Sequence, residues 1–178
     1  MADDKERFER IYRDNFRAVL RFAAMRIDPE RAKDVAAETF LVAWRRLDDV
    51  PGEPRLWLFG VARKVLAGQF RSETRRDALA VRLQGELQRD PADLAGSIAE
   101  REAALAAFAA LREHDREILR LVAWDGLSPA EAAEVLGVTR LAFAVRLHRA
   151  RRRLERELER DVSLQVVQKT RRHVDARS

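Results

Sequence analysis

An all-α fold is predicted by three observations. Apolar residues recur at helical spacing through most of the chain. No stretch alternates apolar and polar side chains between turn residues, so no strand is expected. The breakers, 7 glycines and 5 prolines among 178 residues, punctuate the helical patterns and do not interrupt them. The expected architecture is two small helical domains, at 5–76 and 98–160, joined by a linker at 77–97 and followed by a tail at 161–178.

Each element has its own local reason. Phe8, Ile11, Tyr12, Phe16, Val19, Leu20 and Ala23 trace one face of a first helix ending near Ile27. Asp28 is placed to cap a second helix, with Pro29 in its first position, running to about Leu47. Asp48-Asp49-Val50-Pro51-Gly52-Glu53-Pro54 is too rich in Pro and Gly for anything but a loop. A third helix is expected from Arg55 to Arg76, carrying Trp57, Leu58, Val61, Ala62, Val65, Leu66 and Phe70. Residues 77–97 lose the period and turn acidic, so they read as a flexible connector able to separate two modules by tens of ångströms. Helical spacing returns with Ile98, Leu105, Phe108 and Leu111, breaks at Glu113-His114-Asp115, and resumes through Ile118, Leu119, Val122 and Trp124.

The sharpest local pattern follows Asp125-Gly126. Ser128-Pro129-Ala130-Glu131 combines a capping box with proline at the first helical position. Ala130, Ala132, Ala133, Val135 and Leu136 then form a short helix with a thin face. Gly137 stands where a left-handed residue ends it, and Thr139 can cap a long helix running through Arg153 and beyond. Short helix, Gly-containing turn and long basic helix is the helix-turn-helix layout. Along the long helix Phe143, Leu147, Ala150 and Leu154 make one apolar stripe for the module's core. Its other side presents Arg140, Ala144, Val145, His148, Arg149, Arg151 and Arg152. Arginines suit phosphate oxygens and guanine edges, and an exposed Val145 suits a thymine methyl in the major groove.

Composition narrows the chemistry. The chain carries 35 basic and 30 acidic residues, a net charge of +5. Between positions 138 and 153 alone there are six arginines and no acid, which points to a polyanionic partner. With no cysteine, disulfides, thiolate zinc sites, iron–sulfur clusters and cysteine nucleophiles are excluded. The three histidines, His114, His148 and His173, are too scattered for a metal site, and no cofactor is expected. No apolar run approaches the roughly 20 residues of a membrane helix. The charged start MADDKERFER has no apolar signal core, so a cytoplasmic location without membrane insertion is expected.

Two further runs carry a resemblance. Asp34-Val35-Ala36-Ala37-Glu38-Thr39-Phe40-Leu41-Val42-Ala43-Trp44-Arg45 and Pro54-Arg55-Leu56-Trp57-Leu58-Phe59-Gly60-Val61-Ala62-Arg63, followed by the motif at 126–154, resemble the extracytoplasmic-function (ECF) sigma factors, two-domain specificity subunits of bacterial RNA polymerase. The resemblance covers about 6–76 as region two and 98–158 as region four. It implies that Asp34, Glu38, Phe40, Leu41 and Arg45 dock on the clamp helices of the polymerase's largest subunit. The loop 48–54 would border the pocket for a flipped minus-ten base. Arg55, Trp57, Arg63, Lys64, Gln69 and Arg71 would line the separated strand, since basic and aromatic side chains together capture unpaired bases. Thr139, Arg140, Leu141, Ala144, Val145, Arg146, His148, Arg149, Arg151 and Arg152 would read the minus-thirty-five duplex. Phe40, Trp44 and Trp57 have a plainer alternative role as core residues, and Trp44 is expected in the core. The implied partners are core RNA polymerase, including the flap of its second subunit, promoter DNA and an anti-sigma factor.

Departures from the family pattern bear on specificity. Ala37 stands where Gln is common, Lys64 where Asn is common and Gly68 where Asp is common. In the last helix, Leu141, Ala142, Ala144 and Val145 replace small or polar residues and a lysine, so the promoter sequence is not transferable from relatives. The rival reading is a dimeric helix-turn-helix regulator whose first half senses a ligand; it requires self-association and a symmetric operator. An enzyme finds no support, because the carboxylates are scattered among basic neighbours and no Gly-rich phosphate loop occurs.

Overall fold

Three helices start on their expected capping residues, Asp28, Ser128 and Thr139, while the first helix ends at Ala24, three residues short of the expected Ile27. A computed structural model describes residues 2–77 and 98–175, with side chains described for 3–69 and 102–160. Among these residues there are seven α-helices and no strand: α1 (Ala2–Ala24), α2 (Pro29–Arg45), α3 (Arg55–Asp77), α4 (Ile98–Ala110), α5 (Glu113–Ala123), α6 (Pro129–Leu136) and α7 (Arg140–Asp175). A short 3₁₀ turn, Leu47–Asp49, follows α2 and takes in the first part of the expected 48–54 loop. The expected linker lies outside the described residues apart from Asp77, which ends α3. The chain divides into two compact units, one built on α1–α3 and the other holding α4, α5, α7 and the start of α6.

In the first unit α1, α2 and α3 pack against one another pairwise. Asp28 caps α2 by accepting the Arg31 amide at 3.1 Å, with Pro29 in the first turn. The core is aliphatic and aromatic: Val19, Phe22, Ala23, Val35, Ala36, Leu58, Phe59, Ala62 and Leu66 are buried. At its centre the Phe22 and Phe59 rings stack at 4.5 Å. The guanidinium of the buried Arg26 covers the other side of Phe22 at 3.6 Å. It also donates to the Phe22 carbonyl at 2.8 Å, so the cation is both hydrogen-bonded and held on a ring face. A second aromatic group joins α1 to α2, with Phe40 against Tyr12 at 4.8 Å and Trp44 against Phe8 at 5.1 Å. Trp44 was expected in the core, but it is 46% exposed. Near the start of α1, Phe8 is the ring that meets it, which leaves much of the indole in solvent.

In the second unit α4 and α5 pack on α7. The break between α4 and α5 lies at Leu111-Arg112, not at Glu113-His114-Asp115 as the sequence suggests. Arg112 is extended, and its carbonyl accepts the Asp115 and Arg116 amides at 2.9 and 3.0 Å. Glu113 and Asp115 thus occupy the first helical turn, where acids complement the helix dipole. Gly126, at φ +67°, lets Leu127 return its N–H to the Leu121 carbonyl at 3.0 Å. The capping box then closes in both directions: the Glu131 amide donates to Ser128 Oγ at 3.3 Å, and the Ser128 amide donates to Glu131 Oε2 at 2.8 Å. Gly137, at φ +66°, ends α6, a conformation that costs a side-chain-bearing residue strain. Thr139 starts α7 by accepting the Ala142 amide at 3.2 Å.

Two buried charges hold this unit together. Asp115 is 2% exposed, and both its oxygens accept Arg153 Nη1, at 2.7 and 2.6 Å. That pair ties the first turn of α5 to α7 across 38 residues of sequence. Arg120, 3% exposed, pairs with Glu113 at 2.7 Å and lies over the Phe108 ring at 5.6 Å. The α7 backbone runs helically to Asp175, so the stretch after Arg160 continues the helix.

Candidate nucleic-acid interface

α7 sorts its residues by face. Phe143, Leu147 and Ala150 are buried, at 0%, 5% and 0% exposure. Of the ten residues expected on the duplex face, Thr139, Arg140, Leu141, Ala144, Val145, His148, Arg149, Arg151 and Arg152 are exposed. Arg146 is half-buried; the 3.6-residue period sets it to the side of the outer line. Helical spacing places Leu141, Val145, His148 and Arg152 along the side opposite the buried stripe, with Arg149 beside them. Among the described residues Arg140, Arg149 and Arg151 make no ion pair or hydrogen bond with the protein, while Arg152 reaches Glu155 at only 3.7 Å on the surface. Guanidiniums held out from a rigid helix without protein partners are free to take phosphate oxygens or base edges. Arg153 is different: its bond to Asp115 makes it structural. Local spacing carries no signal for this, because the partner lies 38 residues away in the chain.

On α2, Asp34, Glu38, Leu41 and Arg45 fall at i, i+4, i+7 and i+11 and are all exposed, forming one continuous outer stripe. Leu41, 46% exposed, gives the stripe an apolar centre between charged ends, and Trp44, also 46% exposed, flanks it on the last turn of α2. Phe40 does not join it. At 2% exposure it packs on Tyr12 and Phe16 of α1, so its expected place on a docking surface is corrected to the core.

On α3 the expected residues do not share a single face. Trp57, half-buried, and Lys64, exposed, are seven residues apart on the side away from buried Leu58, Ala62 and Leu66. Arg55 is exposed on the first turn with its guanidinium 5.4 Å from the Phe59 ring. Arg63 is half-buried, and its Nε has no hydrogen-bond partner among the described residues. Gln69 is half-buried, and the Arg71 side chain lies outside the described residues. The loop before α3 is anchored by a residue that sequence spacing did not single out: Arg7 Nη2 donates to the Val50 carbonyl at 2.6 Å.

Between α2 and α3 a cavity of about 400 Å³ is lined by Glu38, Val42, Val61, Lys64, Val65 and Gly68 among others. Two of the family departures, Lys64 and Gly68, therefore meet in one groove. Open space lies where a Cβ of residue 68 would stand, and Gly68 is inside a helix. Gly68→Ala is thus expected to stabilise the first unit by about 1 kcal/mol, seen as a higher urea midpoint. Among the described residues no cluster of His, Cys, Asp or Glu could hold a metal ion, and no helix is long and apolar enough to cross a membrane.

Comparison with known proteins matches both halves. Residues 11–76 fit the family description Sigma-70 region 2, and residues 101–154 fit Sigma-70, region 4. The chain is 31% identical over 152 residues to the ECF RNA polymerase sigma factor SigL of Mycobacterium tuberculosis, covering 82% of this chain and 86% of SigL. It is 32% identical over 139 residues to the RfaY protein of Xanthomonas campestris pv. campestris, covering 74% of this chain but 35% of RfaY. The chain thus spans about a third of that relative's length. Among solved structures it is similar to CnrH in complex with the cytosolic domain of CnrY, with a TM-score of 0.57, 26% identity, and coverage of 86% of this chain and 88% of CnrH.

Proposed function

Because the chain belongs to the ECF family of RNA polymerase sigma factors, we propose that it is a promoter-specificity subunit that works by gripping one promoter at two places. The domain at 98–160 reads the minus-thirty-five duplex with the outer face of α7. The domain at 5–76 holds core polymerase through the Asp34, Glu38, Leu41 and Arg45 stripe of α2. The same domain takes the unpaired minus-ten strand along α3, with Trp57 as a stacking surface and Lys64 and Arg71 as phosphate partners. The linker 77–97 keeps the two together, so each weak contact raises the effective concentration of the other. Polymerase supplies all the chemistry, and the subunit works in the cytoplasm beside its template. The similarity to CnrH, solved with the cytosolic domain of CnrY, supports an anti-sigma protein as the restraining partner.

The single observation that carries this reading is the outer side of α7, where exposed Arg140, Arg149, Arg151 and Arg152 surround Leu141, Val145 and His148, away from buried Phe143, Leu147 and Ala150, on a helix started by a helix-turn-helix turn. Run-off transcription with purified core polymerase on a library of bacterial promoter fragments is the test. The full chain with core is expected to start transcripts at a defined subset of promoters, and neither component alone is. Failure at every promoter, together with tight binding of the chain alone to a palindromic site as a dimer, would instead establish the rival regulator.

A further inference from the structure

Five large apolar side chains are exposed among the described residues, and two of them, Leu141 at 76% and Val145 at 43%, stand on α7. They occupy the second and sixth positions of that helix, on its first two turns, four residues apart and therefore side by side. Both lie opposite Phe143, Leu147 and Ala150, so neither belongs to the core of its unit. Around them stand Arg140, Arg149 and Arg152, and no acid occurs from 138 to 153. A protein partner for an apolar pair would have to bring its own acids to this basic rim. DNA brings phosphates there already, and its major groove floor offers one apolar group, the C5 methyl of thymine.

We propose that Leu141 and Val145 form a paired apolar reader for two thymine methyls in the minus-thirty-five duplex, and so set promoter choice. This rests on the sigma-factor reading above. Four residues of helix rise about 6 Å, and base-pair steps are about 3.4 Å apart. The two methyls are therefore on thymines one or two steps apart. The arginines on either side fix the helix on the backbone and contribute no thymine preference of their own.

The test uses the holoenzyme, the full chain with core polymerase, and a duplex pool randomised over the minus-thirty-five segment. Selected duplexes are expected to carry two thymines on one strand, adjacent or separated by one base pair. Replacing both with deoxyuridine removes only the methyls. Wild-type occupancy is expected to fall about fourfold per methyl, or about fifteenfold for both, from the burial of one carbon each. The Leu141→Ala, Val145→Ala double variant is expected to bind the thymine duplex more weakly and to tell thymine from deoxyuridine by less than about twofold. Equal binding of the two duplexes by wild type, or selected elements without thymines, would overturn the proposal while promoter-specific transcription leaves the sigma reading standing. Absence of any promoter-specific transcription removes that reading and this proposal with it.

Discussion

Phe22→Ala is expected to destabilise the first unit by about 4 kcal/mol, within the usual range for a buried phenylalanine. The ring is 1% exposed and sits between two others' interests: Phe59 stacks on one face at 4.5 Å, and Arg26 lies over it at 3.6 Å. Removing it opens a cavity and also strips a buried cation of the surface that stabilises it. A small helical unit has a total stability of only about 5–15 kcal/mol, so the variant gives up a large share of it and should unfold at a clearly lower urea concentration than the wild type. The measurement is urea denaturation followed by Trp44 and Trp57 fluorescence in a Trp124→Phe background, which reports the first unit alone. Phe22→Leu keeps most of the volume and should lose about 1.5 kcal/mol. Equal losses for the two variants would show that the ring is not the keystone of this core.

The second large effect is in the other unit. Arg153→Ala is expected to cost about 3 kcal/mol, because it leaves Asp115 buried at 2% exposure without the donor that meets both its oxygens. A pair with both partners enclosed would lie higher in the range for broken buried pairs; the Arg153 side chain is 40% exposed, and water screens its end of the interaction. The double variant Asp115→Leu, Arg153→Met replaces the pair with apolar groups of similar bulk and should recover most of the loss. Denaturation followed by Trp124, with Trp44 and Trp57 changed to Phe, gives both numbers. If Arg153→Ala and the double variant are equally unstable, the pair is not what holds α5 to α7.

The local grammar of caps made most of the fold legible. Asp28 with Pro29, Ser128 with Glu131, and Gly137 each act within four residues of chain, so spacing alone locates them. The buried stripe of α7 was legible for the same reason, since period 3.6 needs no knowledge of the partner helix. What depends on distant residues was not legible. Phe40 and Trp44 are one turn apart on α2 and look alike in sequence. Where α1 lays Tyr12 and Phe16 over one and only the Phe8 ring beside the other decides which is core. Asp115 and Glu113 read as a break because charge suggests solvent, whereas a guanidinium 38 residues further on takes Asp115 inside. The candidate site divides in the same way: the α2 stripe follows from periodicity, while the α3 residues, selected by type, scatter over several faces. That Lys64 and Gly68 line one groove needed α2 in place beside them.

From Arg140 to Asp175 α7 is unbroken, about 54 Å of rod at 1.5 Å per residue, and no Gly or Pro follows Gly137 in the chain to give it a joint. A rod without a joint behaves as a crankshaft. The end beyond Leu154 and the face that holds Leu141 thus belong to one continuous helix, so whatever held the far end would also set the bearing of the near one.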